Sequence, residues 1–522
     1  MNAEISAIIN LISQPPSHQR WPVAVETWFS GCEHYELSEL VDALLQQEPP
    51  LPMDPEEANW GRLFEHMLQR QRTDLAAESG MEEPSVEKLC ALYEFLGPAS
   101  QVRHLLLALL AQRSNPLSIE TMVSMLIESP PIEVSGFAIA LSPFLQRDTN
   151  WDLLFPRLFQ ALSHPVAASA ILDLSNFITR QGKVPQHPAV KLVDQLEQLL
   201  KGVVNQLASI EDGSITKTAM HLTPEEIASQ VNEGIALASA LCDAIALIGD
   251  ADKTTALFQA MDLAHRRIQS EAAAALVRLG IEAGSQRLGG LAEEPSVRLR
   301  VLAYAEELGI LSEIHSQHKS LQARAEGALA LHLAEPHVMG LPPTKLELHD
   351  HSQRYWPGFE DAQQCFLFKY EYSLGGEPFC NIGIGAPEVL SSGTDLTDLS
   401  VDDLYAYFAG KIVSHTDIFE MPADDLDSQA QVKTTKYQQL LQEAGYEEVS
   451  ASTFGFFFEY QALAGTARKG DQFGVVVIDD AGILWFQHTS KQRAMTADDA
   501  YYVYKGRKLF ESFEALAESV DE

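Results

Sequence analysis

Basic residues are scarce in this sequence. Lysine and arginine number 36 against 73 aspartates and glutamates, which gives a formal net charge of −37 over 522 residues. Both parts of the chain share the deficit, because residues 341–522 alone hold 30 acidic and 13 basic residues. A surface of this sign repels phosphate backbones, and the two short basic stretches, His265–Arg267 and Lys505–Lys508, make no contiguous basic face. The composition therefore predicts that the protein does not bind nucleic acids. It favours a protein partner, and a basic surface on that partner would be attracted by the negative potential of this chain.

Cysteine and long apolar runs are scarce as well. An odd number of cysteines without Cys-x-x-Cys spacing argues against a disulfide framework and indicates reduced thiols. Residues Met1–Ile5 lack the basic stretch of a signal peptide, and the longest apolar runs, such as Leu105–Ala111, are far shorter than a membrane span. We therefore expect a cytoplasmic protein without a membrane partner. The cysteines are Cys32, Cys90, Cys242, Cys365 and Cys380.

Recognisable catalytic signatures are missing. No GxSxG, HExxH, GxxxxGK[ST] or EF-hand pattern occurs, and Ile382-Gly383-Ile384-Gly385 lacks the downstream glycine and lysine of a phosphate-binding loop. Cys380 has no visible base that would activate it as a nucleophile, so a buried core thiol is the simpler interpretation. The sequence thus indicates no catalytic, cofactor-binding or metal-binding residue. The sequence leaves open whether the protein is an enzyme, and the lack of catalytic signatures favours a protein that is not one.

Two histidine pairs are the nearest candidates for site chemistry. In Glu347–His351, an extended chain would place His349 and His351 on one side, where they could bind zinc together with a carboxylate. No third ligand follows at helical spacing, so we interpret this segment as a polar linker. His415 and Asp417 follow a predicted helix, where a histidine is more typical of a cation that satisfies helix-end carbonyls than of a catalytic pair.

Helical periodicity is what the sequence does have. Apolar residues recur at three- and four-residue spacing through the first 335 residues, and Thr223-Pro224-Glu225-Glu226 has the pattern of a helix start. Gly249, Gly280 and Gly309 lie 31 and 29 residues apart. The segments Ile268–Gly280 and Val297–Gly309 share one frame. A period near 30 with two helices per unit is typical of stacked helix pairs.

These units resemble the HEAT-like repeats first described in phycobilisome lyases. Their pattern runs Gly-Asp, an Ala/Leu helix, Val-Arg, an Ala-rich helix and Leu-Gly. This chain matches that pattern over about residues 225–335, at Gly249-Asp250, Leu279-Gly280, Val297-Arg298 and Leu308-Gly309. The resemblance implies a helical superhelix that serves as a scaffold. Because lyase subunits carry such repeats, it also implies the alternative of a lyase-like enzyme or an enzyme-maturation factor. Iron-binding HEAT-like hydroxylases use His-Glu pairs, and this chain has no His-Glu dipeptide.

The pattern changes near residue 340. Residues 341–522 hold 11 of the 14 tyrosines and 14 of the 23 phenylalanines. Alternating aromatic residues at 366–372 and 454–460 predict half-buried strands whose aromatic side is a core face, although a platform for stacking bases is the alternative. Tyr501–Tyr504 is a further predicted strand. Turns are predicted at Gly375-Gly376 and Asp479–Gly482, and helices at 434–444 and 509–520. Ser400-Val401-Asp402-Asp403 has the pattern of an N-cap box that opens a further helix at 404–413.

The sequence therefore predicts two domains. Residues 1–335 form an α-helical HEAT-like superhelix, or solenoid, and residues 341–522 form a C-terminal α+β domain with a mostly antiparallel sheet. The function that this organisation favours is a non-enzymatic protein-interaction scaffold or adaptor without a cofactor. Besides the lyase-like alternative, a module that binds or neutralises a basic protein partner stays open.

Overall fold

The computed structural model describes residues 3–13, 21–50, 57–76, 84–113, 115–131, 134–145, 149–214, 223–373, 378–422, 425–488 and 493–518. The chain forms two compact units, Met1–Arg287 and Leu288–Glu522. Within its described residues the first unit has helices and no strand. Its helices are α1 (Ala3–Ile12), α2 (Val23–Gly31), α3 (His34–Leu44), α4 (Glu57–Ala76), α5 (Val86–Leu96), α6 (His104–Gln112), α7 (Pro116–Glu128), α8 (Val134–Leu145), α9 (Trp151–Leu158), α10 (Pro165–Arg180), α11 (Val193–Glu211), α12 (Pro224–Ile248), α13 (Thr255–Met261), α14 (Arg266–Arg278) and α15 (Glu282–Leu291), the last of which crosses into the second unit.

Helices of the first unit pack next to their neighbours in two series. In one series α4 lies against α6, α6 against α8, α8 against α10, α10 against α12, and α12 against α14. In the other, α3 lies against α5, α5 against α7, α7 against α9, and α11 against α13. A single core of buried apolar side chains extends from Ile5 to Leu276. Packing of this kind is what stacked helix pairs require, while the HEAT-like superhelix stays a prediction.

The glycines of the sequence repeat lie at helix ends. Gly249, Gly280 and Gly309 have φ angles of +80°, +79° and +70°, the left-handed region in which a side chain is disfavoured. Each follows within two residues of the end of a helix, so the period of about 30 residues repeats a helix stop. The Ala-rich segment Ala272–Ala275 is buried, which lets neighbouring helices approach closely. Beside it, a Cβ at Gly284 would lie 2.5 Å from the carbonyl oxygen of Ala273.

Helix α12 begins where the sequence predicts it. The Thr223 side chain accepts from the amide of Glu226 at 3.2 Å, and the Glu226 carboxylate accepts from the amide of Thr223 at 2.7 Å, which is a complete capping box. Within the described residues, Glu226–Ile248 is long and apolar enough to cross a membrane by length and composition alone. Half of its most apolar window is buried, and core helices of globular proteins meet the same criterion.

The second unit combines helices with two antiparallel sheets. Its strand orders are β1-β2-β3 and β4-β5-β6-β7-β8. Its elements are α16 (Pro295–Glu307), α17 (Leu321–Ala334), β1 (Lys345–Arg354), β2 (Gln363–Tyr372), β3 (Phe379–Ala386), α18 (Val401–Ile412), β4 (Ile418–Pro422), α19 (Ser428–Glu443), β5 (Glu447–Phe457), β6 (Tyr460–Lys469), β7 (Gln472–Ile478), β8 (Ile483–Gln487) and α20 (Ala497–Glu518).

The helices α18 and α20 lie between the two sheets. Their buried side chains share one core with Leu367 of the three-stranded sheet and Val475 of the five-stranded sheet. Helix α17 covers the opposite face of the three-stranded sheet, and α19 covers the opposite face of the five-stranded sheet. The unit is therefore layered as helix, sheet, helix pair, sheet and helix, with α18 and α20 buried on both sides.

Several predictions from the sequence need correction. Tyr501–Tyr504 belongs to α20 and is not a strand: Tyr501 and Tyr504, three residues apart, are both buried in the core between the two sheets. The row 454–460 is not one strand: β5 ends at Phe457, the chain turns at Phe458, and β6 begins at Tyr460. Glu347–His351 lies inside β1 and is not a linker. The predicted Gly375-Gly376 turn lies outside the described residues.

The division into compact units also differs from the predicted domain boundary. Secondary structure changes from helices to strands between Ala334 and Lys345, where the sequence places the change. The second compact unit nevertheless begins at Leu288, because α17 packs on β2 and β3. Its side chains Ala325, Leu329 and Leu333 share a core with the aromatic row of β2.

Candidate functional site

The histidines singled out in the sequence do not form a site. His349 is the extra residue of a β-bulge in β1, and both it and His351 are exposed. The Nδ1 atom of His415 accepts a hydrogen bond from the amide of Asp417 at 3.1 Å. Contrary to the prediction, this histidine does not satisfy the carbonyls at the end of the helix. Lys505 does so instead, by donating to the carbonyl of Val413 at 3.2 Å. Among the described residues, no three His, Cys, Asp or Glu side chains lie close enough to hold a metal ion.

The glycines at 383 and 385 have a packing role. Both lie in β3, where a Cβ at Gly383 would come within 2.9 Å of the Leu329 side chain, and one at Gly385 would overlap the carbonyl of Ala325. They let α17 approach the sheet, which explains the glycine pattern without a phosphate. Cys380 lies beside them, half-buried in the same strand. The aromatic row of β2 is a core face, as predicted, because it packs against α17.

The basic stretch Lys505–Lys508 is neutralised within the second unit. Lys505 is buried, with its Nζ atom 3.5 Å from the Glu420 carboxylate, and burial lowers the pKa of Lys505. The Nε atom of Arg507 donates to Asp403 at 2.7 Å. Lys508 lies 3.3 Å from Glu511. These cations therefore serve local ion pairs rather than a phosphate-binding surface.

A cleft of about 460 Å³ lies beside β8 and is the candidate site. A second cleft of about 220 Å³ adjoins it, since Leu484 and Arg507 line both. Every residue from Ile483 to His488 lines one of the two. Consecutive residues of a strand point to opposite faces, so a cleft lined by all of them follows the edge of the strand and not one face. We call this pair of clefts the β8 groove.

The strand edge in the β8 groove is unpaired. Within the described residues, β8 is the last strand of its sheet and pairs with β7 alone. The amide of His488, next to the strand, donates to the carbonyl of Phe473 on β7 at 2.8 Å. Bonded and non-bonded residues alternate in an antiparallel ladder, so Phe486 and Leu484 also bond to β7. The backbone N–H and C=O groups that point to the open side belong to Ile483, Trp485 and Gln487.

The side chains of β8 hold the strand in place from both faces. Phe486 belongs to the core beneath α18 and α20. Trp485 points to the other face, where its ring centroid lies 5.3 Å from that of Tyr446. Gln487 is exposed. Anchoring by Phe486 and Trp485 keeps the open edge in a fixed extended conformation, so a binding segment would meet a preformed strand.

The walls of the groove carry paired and unpaired charges. Arg507 of α20 is paired with Asp403 of α18. The Ser400 hydroxyl, which also lines the groove, accepts from the amide of Asp403 at 3.2 Å and so caps α18 as predicted. Asp398 is exposed and has neither a hydrogen bond nor an ion pair within the described part of the chain. Asp395 accepts from the Thr397 hydroxyl at 2.6 Å but has no cationic partner among the described residues.

Buried Asn381 of β3 fixes the wall that carries Asp395 and Asp398. Its Nδ2 atom donates to the carbonyls of Ser392 at 3.0 Å and Thr394 at 2.7 Å. Its Oδ1 atom accepts from the amide of Leu396 at 3.0 Å. One fully buried amide therefore satisfies three backbone groups of the segment that leads to α18.

A second buried group holds the same segment to α20. The Asp499 carboxylate accepts from the Tyr407 hydroxyl at 2.9 Å, from the Thr394 hydroxyl at 2.8 Å and from the amide of Thr496 at 2.9 Å. Burial, and then the charge of Asp499, raises the pKa of Tyr407, so its phenol stays protonated and donates. The wall is rigidly supported before any ligand binds.

Compared with protein-family models, curated proteins and solved structures, the chain matches none. The β8 groove therefore has to be interpreted from its own chemistry. It offers an ordered row of backbone donors and acceptors, apolar strand residues, and unpaired carboxylates on one wall. The turn residues Asp479–Gly482 predict the hairpin between β7 and β8, but the sequence does not place β8 at an open edge, since strand order depends on distant residues.

Proposed function

We propose that the protein is a non-enzymatic, cytoplasmic protein-interaction adaptor that binds a partner protein in the β8 groove. The observation that carries the proposal is an unpaired, uncharged strand edge that lines a cleft. Unpaired edges are sites at which another chain can pair, and proteins normally protect them. An edge held in a cleft by Phe486 and Trp485 suits selective recognition of another protein.

Charge supports the choice of partner. The net charge of −37 attracts basic surfaces and repels nucleic acids. In the groove itself, Arg507 is already paired, while Asp398 is not. A basic protein is therefore the favoured partner. In this proposal the first unit forms the predicted HEAT-like superhelix and supplies a second binding surface, as helical repeats commonly do.

Site-specific photo-crosslinking tests the proposal in the native cell. A benzophenone amino acid is placed in the full-length chain at Gln487, which is exposed in the groove, and in a matched variant at Gln439, which is exposed on α19. We expect the Gln487 variant to form an adduct of one discrete mass with another protein, and the Gln439 variant to form none of that mass. Equal labelling at both positions, or no adduct at Gln487, would contradict binding in the groove.

A further inference from the structure

We propose that the β8 groove takes an extended segment of the partner protein as an added strand beside β8, with a lysine or arginine of that segment facing Asp398. This rests on the proposed function and specifies how the partner is recognised. The backbone geometry supports the mode of binding. Ile483, Trp485 and Gln487 present N–H and C=O groups to the open side, in the spacing with which an additional strand would pair.

The edges at β1 and β4 carry features that prevent pairing, the edge at β3 is bridged at Ile384 by Leu390, and β8 has neither among the described residues. β1 has a bulge at His349 and carries Lys345 and Glu347, both exposed. β4 ends in Pro422, which has no N–H to donate. Bulges, charges and proline are the devices by which proteins prevent pairing at an edge. β8, with the sequence Ile-Leu-Trp-Phe-Gln, has none of them, which is expected for an edge that functions in pairing.

The groove has room for a strand. The five residues of β8 extend over roughly 17 Å, and a neighbouring strand would lie about 4.8 Å away. The two adjoining clefts follow β8 over its whole length, from Gly482 to His488. Arg507 and Lys508 of α20 line the second of these clefts. A segment of about five residues in extended conformation, lying beside β8 in the plane of the sheet, would match the length of the groove.

Charge complementarity selects the side chain at the wall. Asp395 and Asp398 face the groove without a cationic partner among the described residues. The cations that line the same groove near α20 are neutralised by Asp403 and Glu511. Arg493 also lines the groove, and its guanidinium carbon lies 3.6 Å from the ring centroid of Phe379. An acidic segment would meet two unpaired carboxylates and cations that are paired or stacked on a ring, whereas a lysine or arginine would gain a partner.

Peptide display on the full-length protein supplies the probe. A random nonapeptide library is selected on the immobilised chain, and the selected peptides are synthesised with single N-methyl groups at each position. We expect a period of two: methylation of amides that pair with β8 weakens binding about tenfold, and methylation of the amides between them has little effect. Hydrogen exchange with fragmentation to single residues should show new protection of the Trp485 and Gln487 amides and none for Leu484 and Phe486, which already bond to β7.

A charge variant tests the second half of the proposal. Asp398→Asn should weaken binding of peptides that carry a lysine or arginine by about 2- to 5-fold, the range for an exposed ion pair. The same peptides with that residue replaced by glutamine should be insensitive to the variant. Asp361→Asn, the same change in the exposed loop between β1 and β2, is the control and should leave binding unchanged.

The outcomes separate the binding mode from the function. Two-residue alternation together with protection of Trp485 and Gln487 supports strand addition. Peptides or partners that crosslink at Gln487 without that alternation or protection overturn strand addition and leave the adaptor function standing. A library without groove-dependent binders overturns the extended-segment proposal, and loss of crosslinking at Gln487 in the cell overturns the adaptor function with it.

Discussion

His187 is a buried residue whose bonds require the neutral ring. It is 1% exposed. Its Nδ1 atom accepts from the amide of Ala189 at 3.1 Å, so the proton lies on Nε2, which is 3.0 Å from the Oδ1 atom of Asn176. Asn176 in turn donates to the carbonyl of Ala240 at 3.0 Å and links α10 to α12. A second proton, on Nδ1, would make two N–H donors face each other, that of the ring and that of the Ala189 amide. Burial also lowers the pKa of His187 to about 4.

The first unit should therefore lose stability in mild acid through His187. The folded-state pKa lies below the unfolded value of about 6.5, so the contribution is complete above pH 6.5 and disappears as the pH falls towards 4. Between pH 7 and pH 5 the loss should be about 2 kcal/mol. Urea unfolding of the parent and of His187→Gln at both pH values measures it. Equal pH dependence in the two proteins would show that His187 is not the cause.

A neighbouring carboxyl acts in the opposite direction, which is why the comparison needs the variant. Desolvation, and then the charge of Asp243, raises the pKa of Asp173 to about 6. Protonation of Asp173 therefore stabilises the folded state as the pH falls below 6. The pH profile of the parent alone would contain the contributions of both groups to stability. The difference between the parent and the variant isolates the contribution of His187.

At the scale of elements, the crossing of α18 and α20 depends on two glycines. A Cβ on Gly506 would overlap the carbonyl of Ala406, and one on Gly410 would overlap the carbonyl of Tyr502. These contacts are with backbone atoms and cannot be relieved by rotation of a side chain. The two helices also carry Asp403 and Arg507 at the β8 groove, so their spacing sets the position of its wall.

Gly506→Ala should consequently destabilise the second unit by about 1–3 kcal/mol, although alanine is the better helix former. The matched variant is Gly202→Ala in α11, where glycine is exposed and a Cβ would meet nothing within 4 Å. That change should stabilise the chain by roughly 0.5–1 kcal/mol. Chemical denaturation of the full-length proteins compares them. A stabilising Gly506→Ala would mean that the helices can separate without loss.

Local signals in the sequence predicted helix starts and turns, and non-local packing decided the rest. The capping residues Thr223 and Ser400 act within their own segments, so both starts were found. Tyr501–Tyr504 has the composition of a strand, yet it belongs to α20, which is buried between two sheets and therefore carries apolar residues on more than one side. The β8 groove was missed for the same reason. Its strand, its charged wall and Arg507 come from segments far apart in the chain.

At the scale of the whole molecule, the position of α17 decides where an independent piece can begin. The sequence places the boundary at 335–341 because strand patterning starts there. In the structure Leu329 and Leu333 cover the aromatic row of β2, of which Phe368 and Tyr370 are 1% exposed. A fragment that begins at residue 341 would leave that row uncovered, and an exposed apolar face of this kind favours aggregation.

The last prediction compares two fragments of the second unit. Residues 288–522 should fold cooperatively, because α16 and α17 remain with the sheets. Residues 341–522 should bind an apolar dye such as anilinonaphthalene sulfonate and aggregate at lower concentration, since Phe366, Phe368 and Tyr370 lose their cover. Dye fluorescence, near-ultraviolet circular dichroism and sedimentation distinguish the two. If the shorter fragment were as soluble, as cooperative and as dye-free as the longer one, α17 would be dispensable, and the boundary predicted from the aromatic pattern would describe the folding unit better than the packing does.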